Sequence, residues 1–243
     1  MLDVTQRQPE RTARELVGRR HPDALAAFLG GSVVTARRTA HSDLDIVVLL
    51  AGDSAPYRES LRYDGWPVEL FVHTRASWLD FVERETLRRR SPLLMLCAAG
   101  TLLLDRDGSG AELAADARRR AEAGPPPATE AELEDVRYGL TDLLDDLAGC
   151  ADPGERLCVV MEIARRTGEL LLLTHGGWLG GGKWLARRAD QADPGFSARL
   201  EEAVRAALDG RTERLVALAE EVLGRAGGRF WEGYRRGGDG PSR

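Results

Sequence analysis

The sequence of 243 residues has few cysteines and no long apolar run. Its three cysteines, Cys97, Cys150 and Cys158, do not have metal-ligand spacing, and an odd, sparse count is typical of reduced proteins without a disulfide framework. No apolar stretch approaches the roughly 18 residues of a membrane span. The N-terminal residues lack the apolar core of a signal peptide. These absences predict a cytoplasmic protein with no membrane partner.

The chain also lacks an excess of basic charge, with 34 lysines and arginines against 39 aspartates and glutamates. The formal net charge is -5 and the pI is near 5.5, whereas proteins that bind long nucleic acids usually carry a basic stripe. Nucleic acid is therefore not expected as a partner. The chain contains no GxxxxGK[ST] phosphate-binding loop, and lysine occurs once, at Lys183.

Three consecutive prolines, Pro125 to Pro127, mark the clearest boundary, because proline cannot continue a helix. Short apolar runs and helical patterns alternate before it, whereas three- and four-residue apolar spacing dominates after it. We expect an α/β domain with a mixed sheet over 1–124, a helical bundle over 128–235 and a disordered tail over 236–243. The predicted strands lie within 24–30, 44–50, 67–73 and 100–105, and the predicted helices within 9–20, 76–90, 110–124, 129–147, 155–177, 196–210 and 212–231.

Two aspartates separated by one leucine precede an apolar run in the segment SDLDIVVLL. In a strand, Asp43 and Asp45 would lie on one face, roughly 7 Å apart along the chain. Carboxylates held this close repel each other unless they share a cation, so the pair indicates a divalent metal site. The alternative is the start of an edge strand with two solvated aspartates.

Two neighbouring features favour the metal site. Gly30 and Gly31 end a predicted strand, and glycine lets backbone amides approach a phosphate closely, with the Ser32 hydroxyl as a further donor. A third carboxylate, Glu69, stands inside the apolar segment WPVELFVH, where an acidic side chain needs a partner.

Together these residues resemble the DNA polymerase beta-like nucleotidyltransferase superfamily. The similarity consists of Gly31-Ser32, then Ser42-Asp43-Leu44-Asp45 before apolar residues, and Glu69 where many members have aspartate. The motifs cover about residues 24 to 105. The layout, with a catalytic domain before a helical bundle, looks like that of the small antibiotic nucleotidyltransferases.

This resemblance implies a metal-dependent mechanism. Asp43, Asp45 and Glu69 would be the catalytic carboxylates and would bind two Mg²⁺ ions. One ion would bridge phosphate oxygens of a nucleoside triphosphate, and the other would lower the pKa of an acceptor hydroxyl. Attack on the α-phosphorus would then release pyrophosphate.

The resemblance also implies a nucleotide site, with ATP as the expected triphosphate. Gly31, Ser32 and Ser42 would contact the phosphates, and Lys183, in the segment HGGWLGGGKWLARRA, would reach them from the helical domain. The active site would then be the cleft between the two domains. The alternative for Lys183 is a solvated helix start whose neighbouring tryptophans pack in the core.

The general base and the acceptor stay open. Candidate bases, each of which could equally be a structural or surface residue, are His73, Glu83, Glu85, Glu162 and Glu169. The first functional hypothesis is transfer of AMP to a hydroxyl of a small molecule such as an aminoglycoside, whose positive charge suits acidic helices. The alternative is an antitoxin-type nucleotidyltransferase that modifies or binds a partner protein, although such proteins are usually short single domains. A polymerase acting on nucleic-acid ends would be expected to have more basic charge.

Overall fold

The structure, a computed structural model, describes residues 8–54 and 56–237. The chain divides into two units between Pro125 and Pro126. Most of the predicted disordered tail, residues 238–243, lies outside the described residues. Within the described part of the chain, no helix is long and apolar enough to cross a bilayer.

The first unit is α/β, as predicted. Its elements are α1 (Pro9–Arg20), β1 (Ala26–Gly30), a 3-10 turn (Ser32–Val34), β2 (Leu44–Leu50), β3 (Tyr57–Tyr63), β4 (Trp66–Thr74), α2 (Arg75–Leu87), α3 (Pro92–Ala98), β5 (Thr101–Asp105) and α4 (Ser109–Ala123). The five strands form one sheet in the order β3-β4-β2-β1-β5. The sheet is mixed, because β2 and β4 are parallel while the other neighbours are antiparallel.

The two faces of this sheet are covered by different helices. Alternate strand residues, including Leu29, Ile46 and Leu70, belong to a buried apolar cluster that also contains Leu16 and Val17 of α1. On the opposite face α3 packs so closely that a Cβ on Gly30 would lie 2.6 Å from a methyl carbon of Leu96. Gly30 is paired with Asp45, so the face covered by α3 is also the face that carries Asp45.

The second unit is all-helical. Its helices are α5 (Glu130–Gly149), α6 (Pro153–Thr174), α7 (Lys183–Ala192), α8 (Phe196–Leu208) and α9 (Glu213–Arg225). Their apolar faces share one core, which includes Leu144, Ile163, Leu171, Phe196 and Leu215. This arrangement agrees with the fold class expected from sequence, an α/β domain followed by helices.

After α9 the chain turns back along α5, and we call residues 226–236 the returning segment. The Arg137 guanidinium donates to the carbonyls of Gly227 and Gly228 at 2.8 Å. The Phe230 amide donates to Oγ1 of Thr141 at 3.0 Å. The ring of Tyr234 stacks on Tyr138 with 3.9 Å between centroids. These contacts fix the last described part of the chain against the first helix of the unit.

Several element boundaries differ from the prediction. The helix expected to reach Arg90 ends at Leu87, since Arg89 has a positive φ of 56°. The last helix ends at Arg225 rather than Trp231, because Gly227 and Gly228 have φ of 104° and 84°. Strand β3 and helix α3 are additional elements that the apolar patterns did not indicate.

Candidate metal centre

The sheet brings three carboxylates together. Asp43 lies directly before β2, Asp45 is its second residue, and the parallel pairing of β2 with β4 places Glu69 beside Asp45. One carboxylate oxygen from each of the three side chains lies within 4.8 Å of the others. All three side chains are partly buried. The residues identified from sequence therefore converge at one end of the sheet face.

The donor atoms of this triad are all carboxylate oxygens, which carry negative charge and accept hydrogen bonds only. Such an arrangement repels itself without a cation. Oxygen-only donors suit hard divalent ions such as Mg²⁺, Mn²⁺ and Ca²⁺, whereas softer metals prefer thiolate or imidazole ligands. The triad could therefore bind a hard divalent cation.

Gly31 allows Asp45 to occupy its position. Gly31 has φ of 78° and ψ of -164°, a region of the backbone map that is essentially restricted to glycine. A Cβ at this position would lie 2.1 Å from Oδ2 of Asp45. The glycine is thus required by the carboxylate itself, a reason that the sequence pattern did not reveal.

Two buried hydroxyls form a hydrogen bond across the loop between β1 and β2. The Oγ atoms of Ser32 and Ser42 lie 2.9 Å apart, and both side chains are buried. The amide of Thr39 donates to Oγ of Ser42 at 3.0 Å. This pair connects the 3-10 turn to the residue before Asp43. The expected phosphate contacts of Gly31, Ser32 and Ser42 stay predictions.

Arg58 is a neighbour of the triad that sequence reasoning missed. Its Nη2 donates to Oε2 of Glu69 at 2.5 Å, and its guanidinium carbon lies 4.9 Å from the centroid of the Phe71 ring. Arg58 is on β3, whose residues are mostly polar and exposed. The available signal was the Asp64-Gly65 dipeptide, which is typical of a two-residue hairpin turn after such a strand, but β3 itself was not predicted.

His73 does not belong to the triad. It lies four residues after Glu69 on β4, which corresponds to about 13 Å along a strand. Its Nδ1 is 3.2 Å from Oγ of Ser77, and its ring packs edge-on against Phe81. Burial lowers the pKa of His73, which favours the neutral ring. His73 therefore supports the start of α2.

Of the four glutamates considered as bases, Glu83 is an exposed residue of α2. The other three form hydrogen bonds or ion pairs with nearby residues. Glu85 accepts from the Ser91 hydroxyl at 2.9 Å and from the Leu93 amide at 3.4 Å, and burial raises its pKa. In the second unit Glu162 and Glu169 both bind Arg165. Hydrogen bonding from Arg165 lowers the pKa of Glu162 to about 2, which makes this carboxylate a weak base.

Lys183 is the first residue of α7, and its side chain is exposed. The neighbouring Trp184 is 43% exposed, with the Arg187 guanidinium 4.9 Å from its ring centroid. Trp184 is thus not packed in the core, contrary to one part of the alternative considered for this segment. The role of Lys183 in binding a nucleotide stays a prediction.

No protein-family model matches the chain, and no curated protein sequence matches it. Among solved structures, the chain is similar to a nucleotidyltransferase-like protein from Exiguobacterium sibiricum 255-15, with a TM-score of 0.43 and 13% sequence identity. The match covers 90% of this chain and 77% of the other.

Proposed function

We propose that the protein is a metal-dependent nucleotidyltransferase. It would transfer a nucleoside monophosphate, AMP from ATP in the first instance, to a hydroxyl of a small molecule and release pyrophosphate. The observation that carries this proposal is the convergence of Asp43, Asp45 and Glu69 beside the glycine turn at Gly31.

The three carboxylates would hold Mg²⁺. When bound, this ion supplies positive charge to the phosphates and lowers the pKa of a hydroxyl near it. The chain's own contribution is positioning, because phosphoryl transfer depends mainly on alignment and charge neutralisation. Asp43 and Asp45 would hold the ion at the start of β2, and Glu69 would contribute its carboxylate from the adjacent strand.

The nucleotide would lie against the turn that follows β1. Backbone amides around Gly31, together with the hydroxyls of Ser32 and Ser42, would donate hydrogen bonds to the phosphate oxygens. Lys183, predicted from sequence to contact the phosphates, would add a compact positive charge. The acceptor oxygen would form a bond to the α-phosphorus, and the bond from this phosphorus to the pyrophosphate oxygen would break.

An aminoglycoside is the first acceptor to test, because its positive charges suit acidic helices. Part of the acidity of α5 is, however, already neutralised within the unit. Arg236 pairs with Glu134 and Asp135, and Arg229 pairs with Asp145. The acceptor panel should therefore include neutral and anionic hydroxyl compounds as well as aminoglycosides.

The test is a transfer assay with purified protein, Mg²⁺ and each nucleoside triphosphate against that panel. Pyrophosphate release and a mass gain of one nucleoside monophosphate on the acceptor would together support the proposal. In Asp43→Asn and Asp45→Asn, transfer should fall by several orders of magnitude because the ion is no longer held. Asp53→Asn, at an exposed position after β2, serves as the matched control and should retain activity. Near-normal turnover in both triad variants would contradict the mechanism.

A further inference from the structure

Strand β3 places one cation against the acidic triad. The antiparallel register pairs Ser60 with Glu69 and Arg58 with Phe71. Paired residues share a face of the sheet, so Arg58 lies diagonally across from Glu69 on the face that carries the triad. Its guanidinium both hydrogen bonds to Oε2 of Glu69 at 2.5 Å and covers the Phe71 ring at 4.9 Å.

We propose that Arg58 is a positioning residue, which orients the Glu69 carboxylate for a divalent cation. This inference rests on the proposed metal-dependent function of the same site. The hydrogen bond engages one oxygen of Glu69 and leaves the other, Oε1, for the ion. The Phe71 ring restrains the Arg58 guanidinium. The guanidinium can therefore hold the Glu69 carboxylate in one orientation.

The residue type matters for this role. A guanidinium is planar, stacks on an aromatic ring and donates in a fixed direction, whereas an ammonium is a compact charge on a flexible stem. Lysine at position 58 would keep the positive charge but lose the stacked, directional contact. Positioning by Arg58 therefore predicts only a partial rescue by lysine.

Arg58 also has an opposing effect, because its positive charge repels a cation. The Arg58 side chain is 60% exposed, so water and salt screen this repulsion. Loss of a group that orients a metal ligand typically weakens metal binding about 10- to 100-fold. The orienting effect should therefore outweigh the repulsion, and removal of Arg58 should weaken binding.

Titration with Mn²⁺ alone tests this proposal, with the free ion followed by its electron paramagnetic resonance signal. Arg58→Met, which keeps a long apolar stem but no donor, should raise the Kd about 10-fold or more. Arg58→Lys should fall between this variant and the wild type. Arg62→Met is the matched control, since Arg62 is on the same face of β3, opposite Pro67, and should change the Kd by less than about twofold.

Thermal unfolding in a chelator should show that the variants remain folded, and Asp45→Asn should abolish the binding that is measured. Equal or tighter Mn²⁺ binding in Arg58→Met would overturn the positioning role and leave the proposed function standing. Equal losses of Mn²⁺ affinity in Arg58→Met and Arg62→Met would show that only the overall charge matters. That result would also overturn the positioning role of Arg58. If the wild type binds Mn²⁺ and depends on Arg58 but transfers no nucleotide, the proposed function fails alone. No Mn²⁺ binding to the wild type would overturn both.

Discussion

Gly31 links the backbone to the chemistry of the site at the scale of a single residue. Its conformation is one that other residues rarely adopt, and a side chain there would collide with Oδ2 of Asp45. Any other residue at position 31 would therefore have two separate effects. The first is backbone strain, and the second is displacement of a candidate metal ligand.

The substitution Gly31→Ala should separate these costs when compared with Gly52→Ala. Gly52 also has a positive φ, of 74°, but a Cβ there would meet nothing within 4 Å. Gly52→Ala should lower the free energy of unfolding by about 1–2 kcal/mol through strain alone and leave Mn²⁺ binding unchanged. Gly31→Ala should lower it further and weaken Mn²⁺ binding about 10-fold. Denaturant unfolding and Mn²⁺ titration measure the two effects, and unchanged binding in Gly31→Ala would contradict the assigned contact.

The common face of Asp43 and Asp45 could be predicted because strand alternation is local. Glu69 was indicated by an acidic side chain inside an apolar strand, while the pairing of β2 with β4 was not predicted. Each side chain's face follows from its neighbours in sequence, and parallel pairing of two apolar strands was enough to bring the carboxylates together. Arg58 could not be predicted in this way. The register between β3 and β4 follows from the two-residue turn Asp64-Gly65, in which both residues have positive φ. The contact with Glu69 also depends on the conformation of the long Arg58 side chain, which strand alternation does not specify.

At the scale of elements, two threonines at N-cap positions differ in whether their side chains hydrogen bond to the start of the helix. Thr129 begins α5 with a capping box, in which Oγ1 of Thr129 accepts from the Glu132 amide at 3.2 Å. Thr212 precedes α9 without a side-chain cap hydrogen bond. The same residue type thus occurs with and without the capping contact in one unit.

Removal of the Thr129 hydroxyl should be more costly than removal of the Thr212 hydroxyl. Thr129→Ala should lower the free energy of unfolding by about 1 kcal/mol, as is typical for a lost N-cap. Thr212→Ala should change it by less than about 0.5 kcal/mol. Equal effects of the two substitutions, measured by denaturant unfolding, would count against a stabilising capping box.

The elements that sequence patterns missed are those with weak or ambiguous local signals. Strand β3 (YRESLRY) is a polar edge strand in which every residue is exposed or only partly buried, so no apolar alternation marks it. Helix α3 (PLLMLCA) is a seven-residue apolar run, and periodicity does not distinguish so short a run from a buried strand. Strand β3 pairs with the adjacent β4 across a two-residue turn, whereas α3 packs on α4 and on the more distant β1.

At the scale of the whole molecule, each unit has its own apolar core. The second unit buries Leu171 completely, whereas Leu208 on the same unit is 38% exposed. A core of this kind should suffice for folding without the residues before Pro126. The structure divides between Pro125 and Pro126.

Residues 126–237 produced alone should therefore form a cooperatively unfolding helical protein. Leu171→Ala in this fragment should lower the free energy of unfolding by about 2–5 kcal/mol, and Leu208→Ala by far less. Circular dichroism with thermal and denaturant unfolding measures both. A fragment without helical signal, or one that melts without a transition, would refute independent folding.

The returning segment has a consequence for synthesis of the chain. Phe230 follows its partner Thr141 by 89 residues, and ribosomes add about 5–20 residues per second. The interval between synthesis of Thr141 and synthesis of Phe230 is therefore roughly 4–18 s. During that interval the ring of Tyr138 lacks the stacking partners Trp231 and Tyr234. In every newly made chain, this aromatic surface is open to chaperones and to neighbouring nascent chains before it is covered.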